Sequence, residues 1–460
     1  MSALRMSYRA HAGALLALGL PIVGSQLAGL FLHMSDTIML GWYGVDELAS
    51  VVIGGTVWFI MFITGSGFGT AIAGPIASAL AQGDDTQVRR MVRMGIWLTL
   101  GYAVLVTPVF FFVEPLLLAA GQKPRVAELA GGYIEIVGFS VYAGLISNLI
   151  RAYLAALGKT GVVMAVMVGA VIFHIGLNYI FIFGAFGVPA MGVQGAAISS
   201  LFTDFSVMII LLIYAVKRFP EYRLFQRFWR PDPELLRKVF ALGVPVGFQM
   251  LAEVGMFAFA AVMMGWISAE VLAAHGIALQ LAAITFLVQL GVAQAATIRT
   301  GQAYGARDAL ALRDGALTAF VMSFGFAVIT MTIFLLIPEF LLHLFLDPSD
   351  PATPRVIAAG VTLVTMAAIF QIFDGGQAMA IGVLRGVADT RVPMVIAIIC
   401  YWVIGIPVAY SLGRPEVYGG VGVWSGLVVG LATVWVALSW RFWRRQWILE
   451  PSDTALAPQV

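Results

Sequence analysis

The sequence predicts an all-α integral membrane protein with twelve transmembrane helices, arranged as two six-helix repeats related by a pseudo-two-fold axis along the membrane normal. Three observations carry that expectation. Hydrophobic residues make up 61% and charged residues 11% of the 460-residue chain, and its mean hydropathy is +0.95; a soluble domain carries about a quarter charged residues. The stretch 17–53 returns without a gap 224 residues later as 241–277, with 12 of 37 positions identical, where chance in so apolar a chain would give roughly three. The basic residues, finally, alternate strongly between the two sides of the apolar runs.

Twelve runs reach the roughly 20 residues that a helix needs to cross a bilayer core. They cover 14–42, 48–73, 91–113, 129–156, 162–186, 191–216, 239–267, 271–296, 315–337, 356–384, 392–412 and 419–440. The first run follows Arg5 and Arg9 but is too long for a secretory h-region and lacks a clear cleavage site, so it reads as a retained span. Connections on the N-terminal side of the alternation, with both termini, hold 22 of the 26 Lys and Arg residues, including seven between Lys217 and Lys238 and the pair Arg385 and Arg391. The opposite side has only Lys123, Arg125, Arg355 and Arg414. By the positive-inside rule both termini are expected to be cytoplasmic. The single cysteine, Cys400, leaves no disulfide framework within the chain.

The longest polar connection, 217–238, contains Pro220, Pro231 and Pro233 and separates an N-lobe (1–216) from a C-lobe (239–441), with a cytoplasmic tail at 442–460. The repeat extends on both sides of it. Thr160-x-x-x-Met164 matches Thr390-x-x-x-Met394, and Gly192-x-x-Gly195 matches Gly419-x-x-Gly422. A repeat of six spans must run the same way in both copies, so its axis lies along the membrane normal.

Ionisable residues inside a bilayer are costly and mark pathways or coupling sites. Asp36, Glu135, Asp204, Glu253 and Asp374 lie within the apolar runs. Glu135 is close enough to the start of its run to reach the interface by snorkelling. Glu253 and Asp374 each fall within about one helical turn of mid-span; two buried carboxyls could share a proton or exchange it for a hard cation such as sodium. The alternative is a pair that only pins helices together. Gly375 and Gly376 permit an irregular or closely approached backbone beside Asp374.

The two repeats do not carry matching acids: Asp36 corresponds to Ala260, and Glu253 to Gly29. Asp36 instead falls at the depth of Asn178 and Ser200 in the outer half of the first repeat. His174 lies one turn from Asn178 on the same helix face. This group could bind a small cation, sodium or a proton, or could be an interhelical hydrogen-bond cluster. Asp204, one turn from Ser200, could join it.

Several stretches resemble the multidrug and toxic compound extrusion (MATE) family. They are Pro21 to Gly44 with Ser35-Asp36-Thr37, the run Leu177-Asn178-Tyr179-Ile180-Phe181-Ile182-Phe183-Gly184, Gly192-x-x-Gly195-Ala196-Ala197, the Glu253 span, and Gly382-x-Leu384-Arg385-Gly386-x-x-Asp389-Thr390. The resemblance spans all twelve runs, and Glu253 with Asp374 is similar to its NorM-type branch. It implies cation-coupled export of organic, often cationic, compounds by alternating access of two six-helix lobes. It further implies that Asp36 is the N-lobe acid, Asn178 and Ser200 its polar partners, and Glu253 with Asp374 the C-lobe cation-binding acids. His174 departs from the family, which commonly has Asn there. Imidazole is a poor sodium ligand and a good proton carrier, which tilts that lobe toward protons.

The substrate side is less specific. Twenty methionines, 31 phenylalanines and intramembrane glutamines such as Gln280 and Gln289 suit an adaptable cavity for organic cations, although the same residues pack against lipid and other helices. No Gly-x-x-x-x-Gly-Lys loop or nucleophile elbow occurs, so neither direct ATP use nor an enzyme is expected. The expected partners are small organic cations and the lipid bilayer, with no nucleic acid, no cofactor beyond a coupling proton or sodium ion, and a monomeric state. The alternative is a lipid-linked precursor flippase, which would need basic residues clustered within the spans.

Overall fold

In the computed structural model, residues 6–444 are described and are almost entirely helical. Long apolar segments become helices because no water is available in hydrocarbon to satisfy the backbone. The first repeat contributes α1 (Tyr8–Tyr43), α2 (Val45–Ala81), α3 (Asp85–Phe110), the short α4 (Val113–Ala119), α5 (Pro124–Val137), α6 (Ser140–Ala156), α7 (Thr160–Phe183) and α8 (Gly192–Arg218). The second contributes α9 (Pro233–Ile267), α10 (Ala269–Gly305), α11 (Ala309–Leu336), the short α12 (Pro338–His343), α13 (Thr353–Gly386), α14 (Arg391–Ile398), α15 (Ile406–Leu412) and α16 (Gly419–Arg444).

Among the described residues, eleven helical segments are long and apolar enough to cross a membrane, and a bent pair brings the number to twelve. That pair is the predicted span 129–156, which divides into α5 and α6 with a 49° bend. Gly138 sits at the break, where a Cβ would lie only 2.6 Å from the Ile134 carbonyl oxygen and would press on the Phe110 ring. The predicted span 392–412 also differs from a plain helix, because Ile399–Gly405 widens into a π-helical turn between α14 and α15. Pro407 follows directly; it lacks an N–H and its ring crowds the preceding turn, which a wider turn relieves.

Helix ends are set by local chemistry. Asp84 accepts from the Gln87 amide (2.9 Å), Ser268 from Val271 (3.1 Å) and Asp308 from Ala311 (2.8 Å), which satisfies N-terminal amides of α3, α10 and α11. The repeated Gly-x-x-Gly motif does the same structural job twice. Gly192 and Gly419 both adopt φ +52°, a left-handed conformation that suits glycine. A Cβ on Gly195 or Gly422 would strike the backbone carbonyl of Phe181 or Leu412 at the end of the preceding helix.

By internal contacts the chain parts into two compact units, Met1–Gly19 with Ala77–Gln82 and Ala252–Val460, and Leu20–Ile76 with Gly83–Leu251. The divisions fall inside α1, α2 and α9, so this grouping differs from the repeat boundary expected at 217–238. The first part of α1 packs on α10, where Gly19 meets Val292 and Ala295, whereas the first part of α9 packs on α2 through Gly243 and Gly67.

The connection 217–238 is fastened to α3. Arg90 donates to Asp232 from Nε (2.6 Å) and Nη2 (3.2 Å) and to Glu234 (3.0 Å); Arg93 donates to the Arg227 carbonyl (3.2 Å), and the Trp97 indole to that of Phe228 (3.1 Å). Several basic residues expected in loops lie on helices that overrun the apolar runs. Arg151 belongs to α6, and Arg385 is buried in the last turn of α13. Arg5, Arg445 and the remainder of the expected tail lie outside the described residues.

Candidate functional site

The first cluster joins α1, α7 and α8 within one unit. Asp36, His174 and Asn178 are all buried, Asn178 completely so. Asp36 Oδ1 lies 2.8 Å from His174 Nε2 and accepts from Asn178 Nδ2 at 2.6 Å; its Oδ2 accepts from the Ser200 hydroxyl at 3.3 Å. The four residues expected from the sequence to converge therefore do so. The i, i+4 spacing of His174 and Asn178 places both on the face of α7 turned to Asp36, with 3.2 Å between Asn178 Nδ2 and His174 Nε2.

Every group facing this carboxyl presents a hydrogen. Ser200 offers its hydroxyl, Asn178 its amide nitrogen and His174 a ring nitrogen. The amide oxygen of Asn178, which would be a cation ligand, is buried and turned to no hydrogen-bond partner. The arrangement is that of donors around an anion, which favours the ionised carboxyl, so the group left to take up a proton is the second nitrogen of the neighbouring His174 ring.

Two residues adjust the expected set. Asp204 makes no hydrogen bond to Asp36, His174, Asn178 or Ser200 among the described residues; it acts on His174 through its charge alone. The neighbour that does enter is Thr203, whose Oγ1 is 3.0 Å from His174 Nδ1 and which donates to the Ser199 carbonyl at 2.8 Å. Its only sequence signal was the spacing of three from Ser200 on a helix, shared with many other intramembrane threonines.

The second cluster lies in the other unit, on α9 and α13. Glu253 and Asp374 sit close enough for the charge of one to act on the other, yet no hydrogen bond joins them among the described residues. Gln377 also reaches Glu253, donating from Nε2 to Oε1 at 2.7 Å. Its own Oε1 is buried without a partner. One turn on from Asp374, Gln377 shares its helix face. Arg385 and Tyr401 complete the electrostatic surroundings of Glu253.

Gly375 is required by close approach rather than irregularity, since α13 runs unbroken through it. A Cβ there would stand 2.6 Å from Gln289 Nε2. Gln289 is held in that position by Ser323, donating to its carbonyl (3.1 Å) and accepting from its hydroxyl (2.8 Å). Gln280 is exposed and joins neither cluster, because its place on α10 turns it away from the packed face. Glu135 is likewise exposed, in keeping with an interfacial position. Among the described residues no group of three or more His, Cys, Asp or Glu side chains could hold a metal ion.

The family profile described as MatE matches residues 21–180 and 245–411, covering both clusters' acids and most of both repeats. The chain belongs to the MATE family. Among its relatives, a probable multidrug resistance protein NorM of Rhizobium meliloti (strain 1021) is 43% identical over 441 residues, covering 95% of this chain and 94% of the relative. Its counterpart in Agrobacterium fabrum is 41% identical over 438 residues, with the same coverage. A solved outward-facing multidrug resistance MATE transporter of the MOP superfamily superposes with a TM-score of 0.87, covering 96% of this chain and 97% of that one at 20% identity. The all-α, multi-pass MATE fold is thereby shared, and the chain is a membrane transporter rather than an enzyme.

Proposed function

We propose that this MATE protein is a proton-coupled multidrug antiporter that exports organic, mostly cationic compounds by alternating access. The observation that carries the reading is the buried Asp36–His174–Asn178–Ser200 cluster, a carboxyl faced only by donors and touching an imidazole at 2.8 Å. Asp36 is the N-lobe acid, His174 the proton-carrying partner, and Asn178 and Ser200 hold the carboxylate. In the C-lobe, Glu253 with Gln377 and Asp374 forms a second cation-exchanging site, which takes a proton or a sodium ion. The names of the NorM relatives support multidrug export, and the spaced intramembrane acids favour cationic substrates by simple attraction.

In this reading residues 1–216 and 239–441 act as two lobes joined by 217–238, both termini face the cytoplasm, and a monomer in the inner membrane suffices. A lipid-linked precursor flippase is less well supported. Arg151 is electrostatically matched to Asp204 and Arg385 to Glu253, so neither of these two helix arginines stands free to bind a phosphate.

Reconstituted vesicles with an imposed proton or sodium gradient test the proposal. A proton gradient alone should drive efflux of a fluorescent organic cation, and Asp36→Asn should abolish it. Efflux that follows only sodium, unchanged in the Asp36 variant, would refute the N-lobe assignment.

A further inference from the structure

We infer that Thr203 is a positioning residue for proton loading, a hydroxyl rotor that gives His174 Nδ1 a partner whether or not the His174–Asp36 couple holds a proton. The inference rests on reading that couple as the proton site and adds how its two states are accommodated.

The geometry around Thr203 Oγ1 offers more partners than one hydroxyl hydrogen can serve. Oγ1 lies 3.0 Å from His174 Nδ1 and 2.8 Å from the Ser199 carbonyl oxygen, one turn back on α8. A hydroxyl has one hydrogen and two lone pairs, so it donates to only one of the two at a time. The far side of the ring decides which. A carboxylate at Asp36 Oδ1, 2.8 Å from Nε2, requires the hydrogen of a neutral imidazole to be on Nε2. Nδ1 is then a bare lone pair, and the Thr203 hydroxyl turns to donate to it.

Loading one proton reverses the arrangement. Nδ1 becomes an N–H and donates to Thr203 Oγ1, and the Thr203 hydrogen turns to the Ser199 carbonyl. The result is the same if the shared proton of the loaded couple moves from Nε2 to Asp36, since the Nδ1 side is unaffected. The net charge of the couple goes from −1 to 0 with no hydrogen bond at Nδ1 lost and no heavy atom displaced. The titratable or charged groups acting on His174 are Asp36 and His33 from α1 and Asp204 from α8; none of them reaches Nδ1 by hydrogen bond among the described residues.

Removing the hydroxyl leaves Nδ1 of the unloaded ring without a donor and leaves the loaded ring only the Ser199 backbone carbonyl, which also acts on His174, in place of Thr203 Oγ1. The bond made by a loaded, positively charged ring is roughly twice as strong as the neutral one. Loading should therefore suffer more than unloading.

The test uses the full chain in proteoliposomes and records proton-driven efflux against pH for Thr203→Val, which keeps the shape, and Thr203→Ser, which keeps the hydroxyl. In Thr203→Val the half-maximal pH should fall, corresponding to about a tenfold loss of proton affinity; Thr203→Ser should stay near the parent profile. Superimposable profiles for the parent and Thr203→Val would overturn the role of Thr203 while leaving the proton site standing. A parent indifferent to the proton gradient, with Asp36→Asn equally active, would instead remove the underlying reading. A second measurement needs no variant at residue 203. In ¹⁵N-histidine spectra, with the His174 signal assigned by its loss in His174→Asn, the unloaded ring should carry its hydrogen on Nε2 and the loaded ring on both nitrogens. An unloaded ring protonated at Nδ1 would overturn the rotor.

Discussion

Gly67 on α2 and Gly247 on α9 meet backbone to backbone: a Cβ on Gly67 would run into the Gly247 amide nitrogen and lie 2.8 Å from its Cα, while one on Gly247 would strike the Thr64 carbonyl oxygen. Gly243, one turn away, has the Gly67 side of α2 against it as well. The 224-residue repeat carries Gly243 back to Gly19 and Gly67 forward to Gly291, and these two also meet, on α1 and α10. The second crossing is looser. A Cβ on Gly19 would lie 3.6 Å from Ala295 Cβ and 3.8 Å from the Gly291 carbonyl oxygen, which is ordinary contact. Both copies of the repeat keep the crossing, and one is looser than the other.

The difference in tightness gives a paired prediction. Gly67→Ala forces backbone against backbone and should cost about 1–3 kcal/mol, the usual range for overpacking. Gly19→Ala has room and should be near neutral. Thermal midpoints in detergent check this: the Gly67 variant should fall clearly below the parent and the Gly19 variant should match it, and equal losses would show that contact distance is not what limits these positions.

Most of the frame was legible in the sequence, because hydropathy, charge alternation and repetition are properties of order along the chain. Depth along the spans grouped Asp36, Asn178 and Ser200, and helical spacing added His174, four residues that the structure brings into contact. What remained hidden was rotation about the helix axis. Counting residues along a span gives depth, but it does not say which way a side chain points. Gln280 has a plausible depth but is exposed and joins neither cluster, whereas Thr203 and Gln377 point into the clusters with nothing in their local sequence to mark them. Glu253 and Asp374 have suitable depths and act on each other through their charges, yet the hydrogen bond that Glu253 accepts comes from Gln377. The bend at Gly138 and the π-helical turn before Pro407 are equally invisible to a hydropathy window, since both depend on what the neighbouring helix or turn leaves free.

Replacing His174 tests the ion rather than the fold. His174→Asn puts an amide oxygen where the ring nitrogen stood and removes the group best suited to carry a proton. Transport should become more dependent on sodium and less on the proton gradient, with folded yield close to the parent. An unchanged ion dependence would mean that Asp36 sets the ion by itself.

Gln377 tests the second cluster. Gln377→Leu leaves Glu253 buried beside an apolar side chain and removes a hydrogen bond to a carboxyl oxygen, a loss of about 1.5–3 kcal/mol when the acceptor is charged. Efflux should fall roughly tenfold or more, and Gln377→Glu should not restore it, because a second acid at 2.7 Å supplies no fixed donor. Full activity in Gln377→Leu, with Glu253→Gln inactive, would show that Glu253 works without this partner.

The clasp on the 217–238 connection predicts a pH dependence of stability. Asp232 binds Arg90 through both oxygens and also accepts from the Leu235 amide at 3.2 Å, capping α9. Hydrogen bonding from Arg90 holds its carboxyl below the usual value. A carboxyl lowered on folding contributes stability above its unfolded value of about 3.9 and loses that contribution as pH falls through the lower, folded value. The contribution should therefore be complete at neutral pH and disappear only in strong acid. Asp232→Asn keeps a capping oxygen and loses the ion pair, while Asp232→Ala loses both. The asparagine variant should be less stable than the parent at pH 7 by about 1 kcal/mol or less and the alanine variant by about 0.5–2 kcal/mol more. Lowering the pH should narrow the gap between parent and Asp232→Asn, and a gap that persists unchanged down to pH 3 would place the stabilisation in the shape of the cap and not in its charge.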